Sequence, residues 1–175
     1  TRSLSESPVV DISGIAKELG ESGKRVSVLW QENDALTFVA RGREYRSEFH
    51  INPSDEIQYM IKGEMKLHIR TPEGKEKIVT IPEGGLNFIP GGMPHSPRFP
   101  PDAFVLVSER LRHPGEEDRF QWYCSACDAL LHEETFVVSD YTADPVSQAY
   151  ANFFDSEENR TCKKCGHVTP APDSM

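Results

Sequence analysis

The sequence predicts a mainly β fold, a sandwich or small barrel, with short helices and a cysteine metal knuckle toward its C-terminal end. Three observations carry that expectation. From Val26 to about Val107 apolar and polar residues alternate, as in "ALTFVARG", "MKLHIR" and "KIVTIP", the period of half-buried strands. Gly and Pro break this run at short intervals, and "TPEGKE", "PEGG" and "PGGMP" read as tight turns. All four cysteines fall in two pairs of Cys-x-x-Cys spacing, which places two thiolates on one turn.

The elements follow in order. "SPVVDISGIAKELGESGKR" predicts a short helix capped by Asp11 or Ser13. Ile15, Ala16 and Leu19 form its buried stripe, and Gly20 ends it. The strands come next. After Arg112 the composition changes: "RHPGEEDRF" is charged and contains Pro and Gly, so it reads as a boundary loop. We therefore expect a barrel with its N-terminal helix over residues 1–112 and a C-terminal segment over 113–175. That segment holds the first cysteine pair, a helical piece around "DPVSQAYANFFDSEENR", the second pair and a frayed tail, "TPAPDSM".

Composition narrows the function. The 175 residues carry a formal charge of −9. An acidic surface repels phosphate backbones and anionic lipid, so neither nucleic acid nor membrane is an expected partner. The N-terminus lacks a signal-peptide core, and no stretch has the length of a membrane span. The expectation is a cytoplasmic protein, whose cysteines stay reduced unless they hold a metal.

Cys124, Cys127, Cys162 and Cys165 offer a closed tetrahedral shell for Zn or for a rubredoxin-like iron. Such a shell has no open position and is read as structural. Redox pairs or disulfides are the bland alternative, but no thioredoxin-like βαβ context surrounds these cysteines. A DNA-reading ribbon is disfavoured by the acidic residues around both pairs.

A second set of ligand types is His50 and Glu56, on either side of "NPSD", with His95 after "PGGMP". The break at Pro53 suggests that His50 and Glu56 flank a turn and converge from its two sides. His68, His113, His132 and His167 are read as ordinary surface or core residues.

Here the sequence resembles the cupins, whose barrel is a double-stranded β-helix, or jelly roll. Their first motif has two histidines, a glutamate and a glycine; this chain has His50, Asn52 in place of the second histidine, Glu56 and Gly63. Gly84, Pro90, Gly92 and His95 fit the second motif. Two histidines and one carboxylate form a facial set that suits Fe(II) and leaves positions open.

The resemblance is closer still. "YRSEFH", "GGMPHSP", "VSERLR" and "FQWYCSAC" look like the bacterial 3-hydroxyanthranilate 3,4-dioxygenases, cupins that carry a rubredoxin-like four-cysteine site. That resemblance implies Fe(II) at His50, Glu56 and His95, with O2 as co-substrate. A second Fe or Zn would sit at the four cysteines. The ring would open between its hydroxyl carbon and the unsubstituted neighbour, giving 2-amino-3-carboxymuconate semialdehyde. Arg46 would hold the substrate carboxylate, and Glu109 would contact the hydroxyl or amino group and manage its proton. It also implies a homodimer. The reaction serves tryptophan breakdown through the kynurenine pathway, nitrobenzoate breakdown or NAD precursor supply.

Two departures bear on the substrate. The family's "HSPQRP" is "HSPRFP" here, so the expected Arg stands one place early, at Arg98, beside Phe99. On a strand such a slip turns a side chain to the opposite face. Before Trp30 the chain reads "VSVL" rather than the family's polar "NRQV". These leave open the same cleavage on another ring, an aminophenol, catechol or salicylate. A non-catalytic ligand-binding cupin and a metal-ribbon interaction module are the readings from other classes. Arg46 has an ion pair with Glu44 or Glu48 as its ordinary explanation, and Glu109 has one with Arg110 or Arg112.

Overall fold

A computed structural model describes residues 7–142 and 146–173. Its first element, α1 (Ile12–Ser22), starts where Asp11 accepts the Ser13 N–H, a side-chain cap on an otherwise orphaned donor. The helix passes through Gly20, the residue expected to end it, and stops at Gly23, which is left-handed at φ 71°. Gly20 stays helical for a packing reason: a Cβ there would lie 3.1 Å from the Phe104 ring. Ala16 and Leu19 bury against Val39 and Phe104 on the outside of a sheet.

Eleven strands follow among the described residues: β1 (Val26–Glu32), β2 (Ala35–Arg41), β3 (Phe49–Ile51), β4 (Glu56–Lys62), β5 (Met65–Arg70), β6 (Glu76–Ile81), β7 (Leu86–Ile89), β8 (His95–Arg98), β9 (Phe104–Glu109), β10 (Asp118–Tyr123) and β11 (Leu130–Phe136). They form two antiparallel sheets, ordered β1-β2-β9-β4-β7 and β11-β10-β3-β8-β5-β6. From β2 to β10 the chain crosses between the sheets at every step except the β5–β6 hairpin, the wrapping of a jelly-roll barrel. Inward residues of both, among them Phe38, Met60, Met65, Leu67, Val105 and Val107, make the core. The burial of β4 reads inward at Glu56, Gln58 and Met60 and outward at Ile57 and Tyr59, so its polar Glu56 and Gln58 face the interior.

The charged loop after Arg112 links β9 to β10, and the chain beyond it completes the second sheet. β10 pairs with β3, Phe120 opposite His50. Exposure, rather than the end of the sheet, accounts for the loop's composition. The predicted C-terminal helix resolves into α2 (Ser147–Phe154) and α3 (Glu157–Arg160); its first residues, 144 and 145, lie outside the described residues. Ser156 interrupts it by capping α3 through the Asn159 N–H. Phe153 of α2 is fully buried and stacks on Trp122 at 4.4 Å, which fixes the C-terminal segment on the outer strands.

Candidate active site

His50 and His95 stand opposite each other on β3 and β8 of one sheet. Glu56 and Glu109 stand opposite each other on β4 and β9 of the other. One donor atom each from His50, Glu56 and His95 lies within 4.8 Å of the others. The residues between His50 and Glu56 do more than turn: they carry the chain from one sheet to the other. The glycine-rich turn before His95 packs on that crossing. Gly92, at φ 81°, donates its N–H to the Asn52 carbonyl at 2.7 Å, and a Cβ on Gly91 would lie 2.5 Å from the Pro53 carbonyl. Both positions therefore need glycine.

A shell of polar groups holds the three side chains. His95 Nδ1 donates to the Met93 carbonyl at 2.9 Å, which leaves Nε2 pointing toward Glu56, 3.4 Å away. His50 Nε2 lies 2.6 Å from Asp118. Asp118 is in turn gripped by Arg112 at 2.6 and 2.8 Å. Gln58 donates to Glu56 at 2.6 Å. Asn52, where a cupin has its second histidine, donates to Glu109 at 2.6 Å and to Glu56 at 3.4 Å. The substitution thus replaces a ligand by an amide that ties two facing carboxylates together.

The electrostatics follow from this packing. Burial works to raise the Glu56 carboxyl, but His95 and His50 outweigh it and hold the group down to about 2. Burial works against charge on His95 as well, yet the Glu56 carboxylate keeps its pKa above the ordinary value. His50 is pushed below its ordinary value by burial, with His95 adding to the effect. Glu109 is raised to about 7, first by burial and then by the Glu56 carboxylate, against the pull of Arg112. One carboxylate is thus held ionised while its neighbour titrates near neutrality, the separation expected of groups with different roles.

These groups line one cavity of about 470 Å³, with Arg46, Arg98, Phe38 and Tyr141 also in its wall. Tyr141 stacks on Phe38 at 4.5 Å. Arg46 lies 2.8 Å from Glu48, and Glu109 pairs with Arg112 at 3.1 Å. The ordinary ion pairs therefore exist, and both residues still face the cavity. Arg98 reaches the wall, but its Nε donates to Ser96 and its guanidinium lies over the Phe49 ring at 5.7 Å. The other histidines have local partners: Glu76 for His68, Asp34 for His113, Glu134 for His132 and Ser125 for His167.

The four cysteines converge as well. Their sulfurs lie within 4.8 Å of one another, with Cys124 to Cys165 at 3.7 Å and Cys127 to Cys162 at 3.5 Å. The two turns are alike: Asp128 and Gly166 are left-handed, and their N–H groups close onto the carbonyls of Cys124 and Cys162. Backbone N–H groups of Cys165 and Lys164 lower the Cys162 thiol, while, against the His167 N–H, the neighbouring thiols raise that of Cys165. Four sulfurs in this cage fit a tetrahedral metal. The two imidazoles and one carboxylate fit a harder ion with open positions.

Several residues around the site gave little sequence signal. Asp118, Tyr141 and Tyr150 come from distant elements and reach it only through folding, while Glu48 and Arg112 stood out only as ion-pair partners of Arg46 and Glu109. Gln58 had a signal, a polar residue on the inward phase of β4.

Fold and ligand set together define a cupin with a two-histidine, one-carboxylate site. The family model for 3-hydroxyanthranilic acid dioxygenase matches residues 24–154. The 3-hydroxyanthranilate 3,4-dioxygenase of Bacillus cereus is 37% identical over 154 residues, covering 88% of this chain and 86% of that one. That of Shewanella woodyi is 36% identical over 148 residues, covering 83% and 76%. A Klebsiella pneumoniae protein with a double-stranded β-helix domain aligns at a TM-score of 0.46 and 20% identity, over 63% of this chain and 88% of its own. The chain belongs to the 3-hydroxyanthranilate 3,4-dioxygenase family.

Proposed function

We propose that this chain is an Fe(II) dioxygenase that opens the ring of 3-hydroxyanthranilate with O2 to give 2-amino-3-carboxymuconate semialdehyde. The observation that carries the reading is the convergence of His50, Glu56 and His95 on one point of a cavity that also holds Arg46 and Glu109. These three side chains would hold the iron, with Asp118 and the Met93 carbonyl orienting the His50 and His95 rings. Bound Fe(II) supplies the one-electron chemistry through which dioxygen and an aromatic ring react.

The chain's own groups do the rest. Arg46 anchors the ring carboxylate through its planar fork, with Arg98 at the same wall. Glu109, which titrates near neutrality, takes or returns the proton of the hydroxyl or amino group. Asn52 fixes one Glu109 oxygen and Arg112 the carboxylate as a whole, so the base keeps its aim. Phe38 and Tyr141, stacked on each other, give the cavity an aromatic wall.

The four-cysteine site holds a second Fe or Zn and serves structure. The setting is the cytoplasm, in aromatic breakdown such as the kynurenine route; no helix among the described residues is long and apolar enough to cross a membrane. The assembly is a homodimer. Its support is an outward apolar face on β4 and the edge strand β7, where Ile57 faces Phe88 and Tyr59 faces Leu86. Sedimentation of wild type against Phe88→Glu checks the dimer. Oxygen uptake by iron-loaded protein with a panel of rings tests the reaction. The expected result is fastest uptake with 3-hydroxyanthranilate and one semialdehyde per O2; no uptake with any hydroxylated or aminated ring overturns the reading.

A further inference from the structure

We infer that Glu48 and Tyr150 are positioning residues for Arg46, so that the C-terminal helix α2 sets the carboxylate anchor of the pocket. This rests on the role proposed above for Arg46. Glu48 is 1% exposed. Its Oε1 accepts the Tyr150 hydroxyl at 2.8 Å and lies 2.8 Å from Arg46 Nε. The Arg46 Nε–H is not aligned on that oxygen, so the pairing is one of charge and position. Tyr150 is held in turn: Arg43 donates to its hydroxyl at 2.9 Å, with its guanidinium 5.1 Å from the ring centroid.

The geometry divides the Arg46 guanidinium in two. Glu48 engages the Nε side. Among the described residues Nη1 and Nη2 have no hydrogen-bond partner, and Arg46 lines the cavity that holds the three ligands. The outer edge of the fork is thus left for a carboxylate, the bidentate geometry this side chain favours. Folding alone does not explain the arrangement. A buried ion pair is often no more stabilising than apolar side chains of the same volume, whereas an anchor needs a fixed direction. Tyr150 supplies it from far along the chain, locked by the packing of Phe120, Phe153 and Phe154 around it.

The test compares iron-loaded wild type with Glu48→Gln and Tyr150→Phe on two rings, 3-hydroxyanthranilate and 2-aminophenol, which lacks the carboxylate. For Glu48→Gln we expect kcat/KM on 3-hydroxyanthranilate to fall on the order of tenfold, mainly through KM. The loss on 2-aminophenol should be much smaller. Tyr150→Phe should show the same split more weakly, and it serves where Glu48→Gln does not fold. On an Arg46→Gln background, Glu48→Gln should add nothing. Equal losses on both rings, or losses that add in the double variant, overturn the inference while the proposed reaction stands. If wild type turns over neither ring, the proposed reaction fails instead. Calorimetry with anthranilate and aniline then decides the inference: Glu48→Gln must weaken anthranilate alone, and equal effects on both overturn it.

Discussion

Replacing Asp118 by Asn tests how the buried charges near His50 are held. Asp118 is 1% exposed and bonded to Arg112 through both oxygens and to His50 through one. Burial opposes its charge, but Arg112 and His50 outweigh that and bring the carboxyl from the ordinary 3.8 to about 2. Between those values the folded chain binds fewer protons than the unfolded one, so acid favours unfolding. At ~1.4 kcal/mol per pH unit the stabilisation is about 2 kcal/mol. It is complete above about pH 4 and gone once pH falls below about 2. Asp118→Asn removes the titrating group and keeps the shape. Urea unfolding of both proteins, iron-free at the histidine site, should show a gap of about 2 kcal/mol at pH 7 that closes between pH 4 and 2. A gap that persists at pH 2, or none at pH 7, refutes the assignment of this stability to the Asp118 charge.

Other outcomes follow from the same contacts. His95→Ala should lose the barrel iron while the four thiolates keep about one metal per chain, read by metal analysis; loss of all metal would contradict two independent sites. Phe153→Ala empties the fully buried stack on Trp122 and should cost about 3–5 kcal/mol in denaturant unfolding. Asn52→Ala removes the donor that favours ionised Glu109, so the acid limb of the kcat/KM profile should move to higher pH; an unmoved limb would show that Glu109 does not set it.

The two clusters were legible in the sequence because each member stands in a local pattern: His50 and Glu56 around Pro53, His95 after a glycine turn, the cysteines in spaced pairs. The end of α1 was misplaced because Gly20 looks like a stop; only the Phe104 ring packed on it shows that the glycine serves close approach. The role of Asn52 was legible only as a missing histidine. Its bond to Glu109 joins residues distant in sequence and depends on β4 pairing with β9. The one-place shift of Arg98 suggested a side chain turned away, yet it reaches the cavity wall, held by Ser96 two residues back and by the Phe49 ring, which only folding brings near.

The two sheets divide the chemistry. One supplies the imidazoles, His50 and His95, side by side on β3 and β8; the other supplies the carboxylates, Glu56 and Glu109, side by side on β4 and β9. Like charges opposed on neighbouring strands are costly, and here Asn52, Gln58 and Arg112 offset the carboxylate pair. A cation held by His50, Glu56 and His95 would link the two sheets, because its ligands come from both. It would also offset the Glu56 charge, which adds to burial in raising Glu109. Metal affinity and the basicity of Glu109 are therefore two readings of one charge balance. A change to either carboxylate must move both.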